Sequence, residues 1–304
     1  MNTTTAKILH SPVSYYGKLF TKDHFIYGSH TTLPVQLTGM SFFWSQWSDK
    51  YYHPRYVDEM VDEWGCEIVR IAYGVDDTGT PCEGSYEEQA HRIIQAAIAR
   101  GIYVIVDWHS HGAEHNPTAA KQFFTNIART YGSYDHLIFE LYNEPIHTTW
   151  IAIKNYVTPL ITAIREYSDN LIVIGSPTWS QDVDLASLDP IAADNIAYTL
   201  HFYAGTHKQA LREKAEVALR NGIALFVTEW GGVSADGNGA FDYASTMEWM
   251  NWLDTHQLSS CNWAINDKEE TSSVFHTDDT LTDTGLLMKE LICARTQHAP
   301  WRRV

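Results

Sequence analysis

The chain has 304 residues, 44% hydrophobic and 19% charged, with no apolar run of about eighteen residues that would cross a membrane. Its 21 Lys and Arg stand against 37 Asp and Glu, a formal charge of −16. That sign argues against a nucleic-acid partner held by phosphate neutralisation and points to a neutral or cationic substrate.

Residues 1–17 (MNTTTAKILHSPVSYYG) lack the apolar h-region of a secretory signal, so no signal peptide is read in this chain. Residues 12–36, with Gly17 and Gly28 at turns, read as a hairpin that would plug a barrel floor. Short β-rich apolar runs then recur at 37–44, 67–74, 103–110, 137–144, 170–177, 196–203, 223–230 and 259–266. Helical patterns separate them at 54–64, 86–100, 117–131, 150–167, 207–221, 242–256 and 284–297. Ser85 to Glu88 has the form of a capping box, and Asn116-Pro117 an N-cap with proline at the first helical position. Only 178–195, before the sixth run, is weakly patterned. Regular alternation of strand and helix predicts βαβ units, and eight of them predict a (β/α)8 TIM barrel forming one domain. Cys66, Cys82, Cys261 and Cys293 have no CxxC spacing, so neither a zinc site nor a dense disulfide framework is indicated. Cys66, Cys261 and Cys293 read as core residues, with a Cys66–Cys82 bridge as the alternative.

The fourth run, LIFELYNEP (137–145), places a carboxylate at the end of a strand buried on both faces. Chemistry in such barrels sits at the C-terminal strand ends. Those ends supply Trp44, Asp107-Trp108-His109, Asn143-Glu144, Ser176-Pro177 before Trp179, His201 and Tyr203, Glu229-Trp230, and Trp263, with Arg70 near the middle of the second strand. Glu144 and Glu229 face each other across the mouth. One carboxyl kept neutral on a dry rim and one kept ionised by donors are what glycosidic bond cleavage needs, and the apolar run assigns Glu144 the proton. Indole faces cover the C–H faces of a sugar ring. Trp44, Trp179 and Trp263 are read as such platforms, whereas Trp108, Trp230 and Trp47 are read as caps on the barrel core.

The set Arg70, Trp-His109, Tyr-Asn143-Glu144-Pro, His201-Phe-Tyr203, Thr-Glu229-Trp-Gly and Asn-Trp263-Ala resembles glycoside hydrolase family five. WSQ-D (179–182), HFYAGTH (201–207), LFVTEWG (225–231) and NWAINDKEE (262–270) are similar to its bacterial endo-β-1,4-glucanases. The resemblance spans residues 33–290. It implies a retaining double displacement, with Glu144 as acid/base, Glu229 as nucleophile, and Arg70 and Tyr203 holding the nucleophile ionised. It further implies Asn143 on the sugar 2-hydroxyl, His109 and His201 lining the cleavage subsite, and Trp44, Trp179, Trp263, Lys268 and Glu270 on neighbouring glucosyl units. Read alone, Lys268 and Glu270 are solvated loop charges. Gly232 departs from the threonine common in relatives, and Tyr73 and the Cys82 loop leave subsite detail open.

The implied partner is a β-glucan polysaccharide or cello-oligosaccharide, handled by a secreted monomer without cofactor, nucleic acid or membrane. Mannan, xyloglucan and mixed-linkage glucan are alternative substrates on the same scaffold. Two rivals are of other kinds. His109-Ser-His111, with His201, has the form of a metal-ligand set, and a tryptophan-lined barrel could bind polysaccharide without cutting it.

Overall fold

The computed structural model describes residues 11–302; residues 1–10, most of the segment read for a secretory signal, lie outside the described residues with 303–304. An antiparallel hairpin, β1 (Leu19–Lys22) and β2 (Phe25–Gly28), precedes eight parallel strands that close into a barrel. These are β3 (Thr38–Phe42), β4 (Ile68–Gly74), β5 (Tyr103–His109), β6 (Leu137–Glu140), β7 (Ile172–Ile174), β8 (Ile196–Tyr203), β9 (Ala224–Gly231) and β10 (Ser260–Ile265), with β10 pairing β3 to complete the ring. Seven fall within the apolar runs of the sequence, and β9 passes the end of its run by one residue, Gly231. Helices Pro54–Asp62, Glu87–Arg100, Pro117–Tyr131, Trp150–Arg165, Gln209–Arg220, Tyr243–His256 and Asp283–Thr296 fill the connections, and the weak 178–195 stretch yields a single irregular turn at Pro177–Ser180 and a short helix, Val183–Leu188. Among the described residues, no helix is long and apolar enough to cross a membrane.

The strands are apolar on both sides because each packs between helices and barrel interior. Val104, Val106 and Trp108 of β5 join the helix-facing core, while Tyr103 and Ile105 join an inner cluster with Ile138, Val173, Ala197, Phe226 and Cys261. The hairpin closes the lower end: Leu19 and Ile26 pack into that inner cluster, and Tyr103 donates its hydroxyl to the Gly17 carbonyl at 2.5 Å. Inward positions turn polar toward the mouth, from Ile105 to Asp107 to His109, from Ile138 to Glu140, and from Ala197 to Thr199 to His201. The barrel therefore has an oily floor and an ionic ceiling.

Local chemistry confirms one cap and corrects the other. Asn116 accepts from the Ala119 N–H at 3.2 Å with Pro117 first in the helix. The box expected at Ser85 and Glu88 forms one residue later, where Gln89 accepts from the Tyr86 N–H at 3.2 Å. Ser85 instead turns its hydroxyl to Ser45 at 2.6 Å. The Cys66–Cys82 bridge does not form; all four cysteines are free, Cys66 and Cys261 buried and Cys293 only partly so.

Candidate active site

Arg70 organises the mouth. Its guanidinium, wholly buried, donates to Glu140 at 2.7 Å, Glu229 at 2.9 Å and Asp107 at 2.9 Å, and to the Asn143 side-chain oxygen at 2.6 Å. An arginine inside a barrel is tolerable only with partners of this kind, and they come from the ends of three different strands, β5, β6 and β9. Glu229 receives a second donor on its other oxygen, the Tyr203 hydroxyl at 2.6 Å. Burial keeps that phenol protonated, well above its ordinary range.

Glu144 lies four residues beyond the last residue of β6, not on the strand, and it has different company. His201 Nδ1 meets one oxygen at 2.8 Å and His111 Nε2 meets the other at 3.3 Å. His201 is anchored in turn through Nε2 to Thr228 at 2.9 Å, and Thr228 donates to Glu140 at 2.6 Å. Glu144, His201 and Glu229 each bring one atom to within 4.8 Å of the others. The two carboxylates thus meet at one place in the mouth.

Their proton states correct the expectation of a dry, neutral Glu144. Its side chain keeps 13% exposure against 6% for Glu229, so Glu229 is the deeper acid. Burial raises Glu144, but the imidazoles of His111 and His201 outweigh it and hold the carboxyl at about 2. Burial raises Glu229 above its ordinary value, reinforced by Glu144 and opposed by His201, Arg70 and Tyr203. On His111, burial disfavours charge, yet Glu144 and Asp77 raise it. His109 goes the other way: burial and Arg70 keep it neutral, with Nδ1 against Asp107 at 2.6 Å.

The aromatic walls also sort themselves. Trp44 meets His109 edge-on with centroids 4.3 Å apart, and Trp263 lies flat on the same ring at 5.2 Å, leaving only 6% of the residue exposed. Across the barrel, after β7, Thr178, Trp179 and Ser180 all have φ between +54° and +58°. Three non-glycine residues in the left-handed region are strained, a cost surrounding contacts must offset. Ser180 donates its hydroxyl to the Asn143 carbonyl at 2.6 Å and the Trp179 N–H donates to the Pro145 carbonyl at 3.0 Å, while the indole stays 45% exposed. Trp108 and Trp230 are core, as expected; Trp47 is not, with 69% exposure at the rim. Tyr73 packs outward on Trp108 and Phe123 and does not line the mouth. Lys268 is exposed and pairs with Glu270, whose buried carboxylate is no solvated charge. Gly232 has a local neighbour: a Cβ there would sit 2.1 Å from the Phe241 ring, so a threonine requires that ring to move.

The metal reading does not hold as drawn, since His109 and His111 turn to different carboxylates and form no joint ligand set. Sequence reasoning missed Glu140 and Asp107 as Arg70 partners, Thr228 as the support of His201, and His111 as a partner of Glu144. Strand parity carried the signal for Glu140, which follows inward-facing Ile138 by two. A cavity of about 870 Å³, bordered by Glu67, Asp254 and Arg295, lies at the floor, away from the facing carboxylates.

The profile of the family described as Cellulase (glycosyl hydrolase family 5) matches residues 29–269. This chain belongs to glycosyl hydrolase family 5. Within it, the chain is similar to Endoglucanase Z of Dickeya dadantii, 47% identical over 262 residues that make up 84% of this chain and 62% of that protein. An endoglucanase of Clostridium saccharobutylicum is 39% identical over 85% of this chain and 61% of its own length. The chain thus spans about three fifths of these curated relatives. Among solved family structures, one from Cytophaga hutchinsonii superposes with TM-score 0.90 at 44% identity, covering 94% of this chain and 98% of that one. The Thermobifida fusca endoglucanase Cel5A catalytic domain with cellotetraose gives 0.85 at 27% identity, covering 93% and 99%.

Proposed function

We propose that the chain is a retaining endo-β-1,4-glucanase, acting as a secreted monomer on β-glucan or cello-oligosaccharides. One observation carries the reading: two carboxylates within 4.8 Å, supported by partners of opposite kind. Glu229 is held by Arg70, which keeps its proton at any working pH, and by a phenol. Those partners orient a nucleophile and lend it no other proton. Glu144 is held by two imidazoles, and on one of them, His111, Glu144 and Asp77 favour the protonated form against burial. Such company suits an acid/base that must give and retake a proton.

In the first step Glu229 attacks the anomeric carbon while the Glu144 cluster delivers a proton to the leaving oxygen. In the second, Glu144 takes a proton from water as that water displaces Glu229. The short separation favours this covalent route, since inverting pairs stand roughly 6.5–9.5 Å apart to admit a water. Asn143, oriented by Arg70, would bond the 2-hydroxyl, and His109 and His201 would line the cleavage subsite. Trp44, Trp179, Trp263, Lys268 and Glu270 would hold neighbouring glucosyl units. The test is Glu229→Ala on carboxymethyl cellulose, where kcat should fall on the order of 10⁵-fold. Proton NMR of the first product from the native protein should show the β-anomer. Undiminished hydrolysis, or an initial α-anomer, would defeat the proposal.

A further inference from the structure

The floor cavity borders a buried acid remote from the catalytic pair. Its volume of about 870 Å³ falls in the range of small-molecule sites. It opens between the segment 30–36 and the helices Tyr243–His256 and Asp283–Thr296, with Tyr15 and Tyr16 on one wall. Glu67, the residue before β4, lines it and is 2% exposed. Burying a carboxyl is costly unless it is paired, yet among the described residues Glu67 has no ion pair. It accepts from the Trp301 indole N–H and from the Thr38 N–H at 3.1 Å. A carboxylate offers about four acceptor positions, so about two stay open.

The nearby cations are engaged elsewhere. Arg295 pairs with Asp254 at 2.6 Å, and its Nε points to the Thr38 hydroxyl at 3.4 Å instead of to Glu67. Arg302 donates to the Gly65 carbonyl at 3.3 Å and lies over the Trp301 ring. Asp254 and Arg295 therefore cancel on the rim, and Glu67 is the carboxyl left without a counter-charge among the described residues lining the cavity. Much of the remaining wall is apolar or aromatic, with Met250 and Leu291 on the two long helices. Tyr16 keeps its phenolic proton through burial, and the Tyr15 and Tyr16 rings, 5.0 Å apart, are of the kind whose faces attract cations. An anion would meet Glu67 and could gain only by drawing Arg295 from Asp254. A neutral guest would leave the acid unpaired. A cation with an apolar tail answers both the acid and the wall.

We infer that the floor cavity binds a small organic cation, a primary amine on an aliphatic chain, with its ammonium at Glu67 and its tail against Met250 and Leu291. The site is separate from the carbohydrate cleft and stands whether or not the proposed hydrolysis does. The formal charge of −16 favours the approach of such a ligand. Burial holds Glu67 at about 7, so its negative charge is available on the alkaline side of that value.

The experiment is calorimetric titration of the native protein with hexylammonium chloride at pH 8 and pH 6, beside hexanol, hexanoate and calcium chloride. The amine should bind one-to-one at pH 8 and about tenfold more weakly at pH 6, where Glu67 mostly carries its proton. Hexanol and hexanoate should bind at least about tenfold more weakly than the amine at pH 8. Glu67→Gln should bring the amine down to the level of the alcohol and remove the pH dependence. His30 and His298 also line the cavity and are common to both proteins, so the difference between them belongs to Glu67. Leu291→Trp, which narrows the cavity without altering Glu67, should weaken the amine and leave hydrolysis unchanged. No binding by the native protein at pH 8, equal affinity for hexanol or calcium, or undiminished affinity in either variant overturns the site. Displacement of the amine by cellotetraose also overturns it, because the amine would then sit at the mouth. The ligand and pH comparisons need only the native protein, so they decide the matter even if Glu67→Gln does not fold.

Discussion

The two ends of the barrel each bury carboxylates and treat them in opposite ways. At the mouth, one guanidinium serves Asp107, Glu140 and Glu229, and two imidazoles serve Glu144. At the floor, Glu67 is 2% exposed and has only uncharged donors, the Trp301 indole N–H and the Thr38 N–H at 3.1 Å. Burial pushes it to about 7 against those donors and the more distant Arg302 and Arg295. A carboxyl with no chemical task can settle its desolvation by keeping its proton. One that must attack or exchange a proton needs charged or titrating company, and the molecule assembles that company from several strands.

Breaking the mouth should have the largest effect. Arg70→Met leaves three buried carboxylates without their cation and should cost about 3–5 kcal/mol in denaturant unfolding, with hydrolysis lost. A cost below about 1 kcal/mol would show that the carboxylates neutralise themselves as Glu67 does. The floor gives the next effect. Glu67 has a folded-state pKa above the 4.5 of an ordinary glutamate, so its contribution is full below that value and is lost as pH rises through about 7. Between pH 5 and 8 the native protein should lose on the order of 3 kcal/mol relative to Glu67→Gln, which carries no such titration. A constant difference between the two across that window would contradict a neutral floor. Smallest is Tyr203→Phe. The hydroxyl lowers Glu229, so removing it should move the acid limb of kcat/KM upward by about one pH unit. An acid limb that stays in place would mean the phenol orients Glu229 without tuning it.

The same contrast explains what could be read from the chain. Strands and helices were legible because a strand packed on both sides leaves an unbroken apolar run, and Asn116-Pro117 announces a helix by itself. Glu144, Glu229 and Arg70 were legible as polar residues at odds with such runs. Glu140 was harder, hidden inside LIFELYNEP with the more conspicuous Glu144 four residues on. The proton states were not legible at all. They depend on His111 and His201 converging on one carboxyl from different strand ends, a fact of tertiary geometry. Ser85 failed as a cap for the same reason, because Ser45 from another loop claims its hydroxyl. Trp47 was misread because an indole near a strand end has one composition whether it faces inward or out.

The left-handed run at Thr178, Trp179 and Ser180 has one more implication. Its backbone is pinned to the carbonyls of Asn143 and Pro145, the residues on either side of Glu144. Trp179, proposed to receive a sugar, and Glu144, the proposed acid, are therefore tied to one short stretch of backbone. A ring laid on that indole would be gauged from the proposed proton donor through these two bonds.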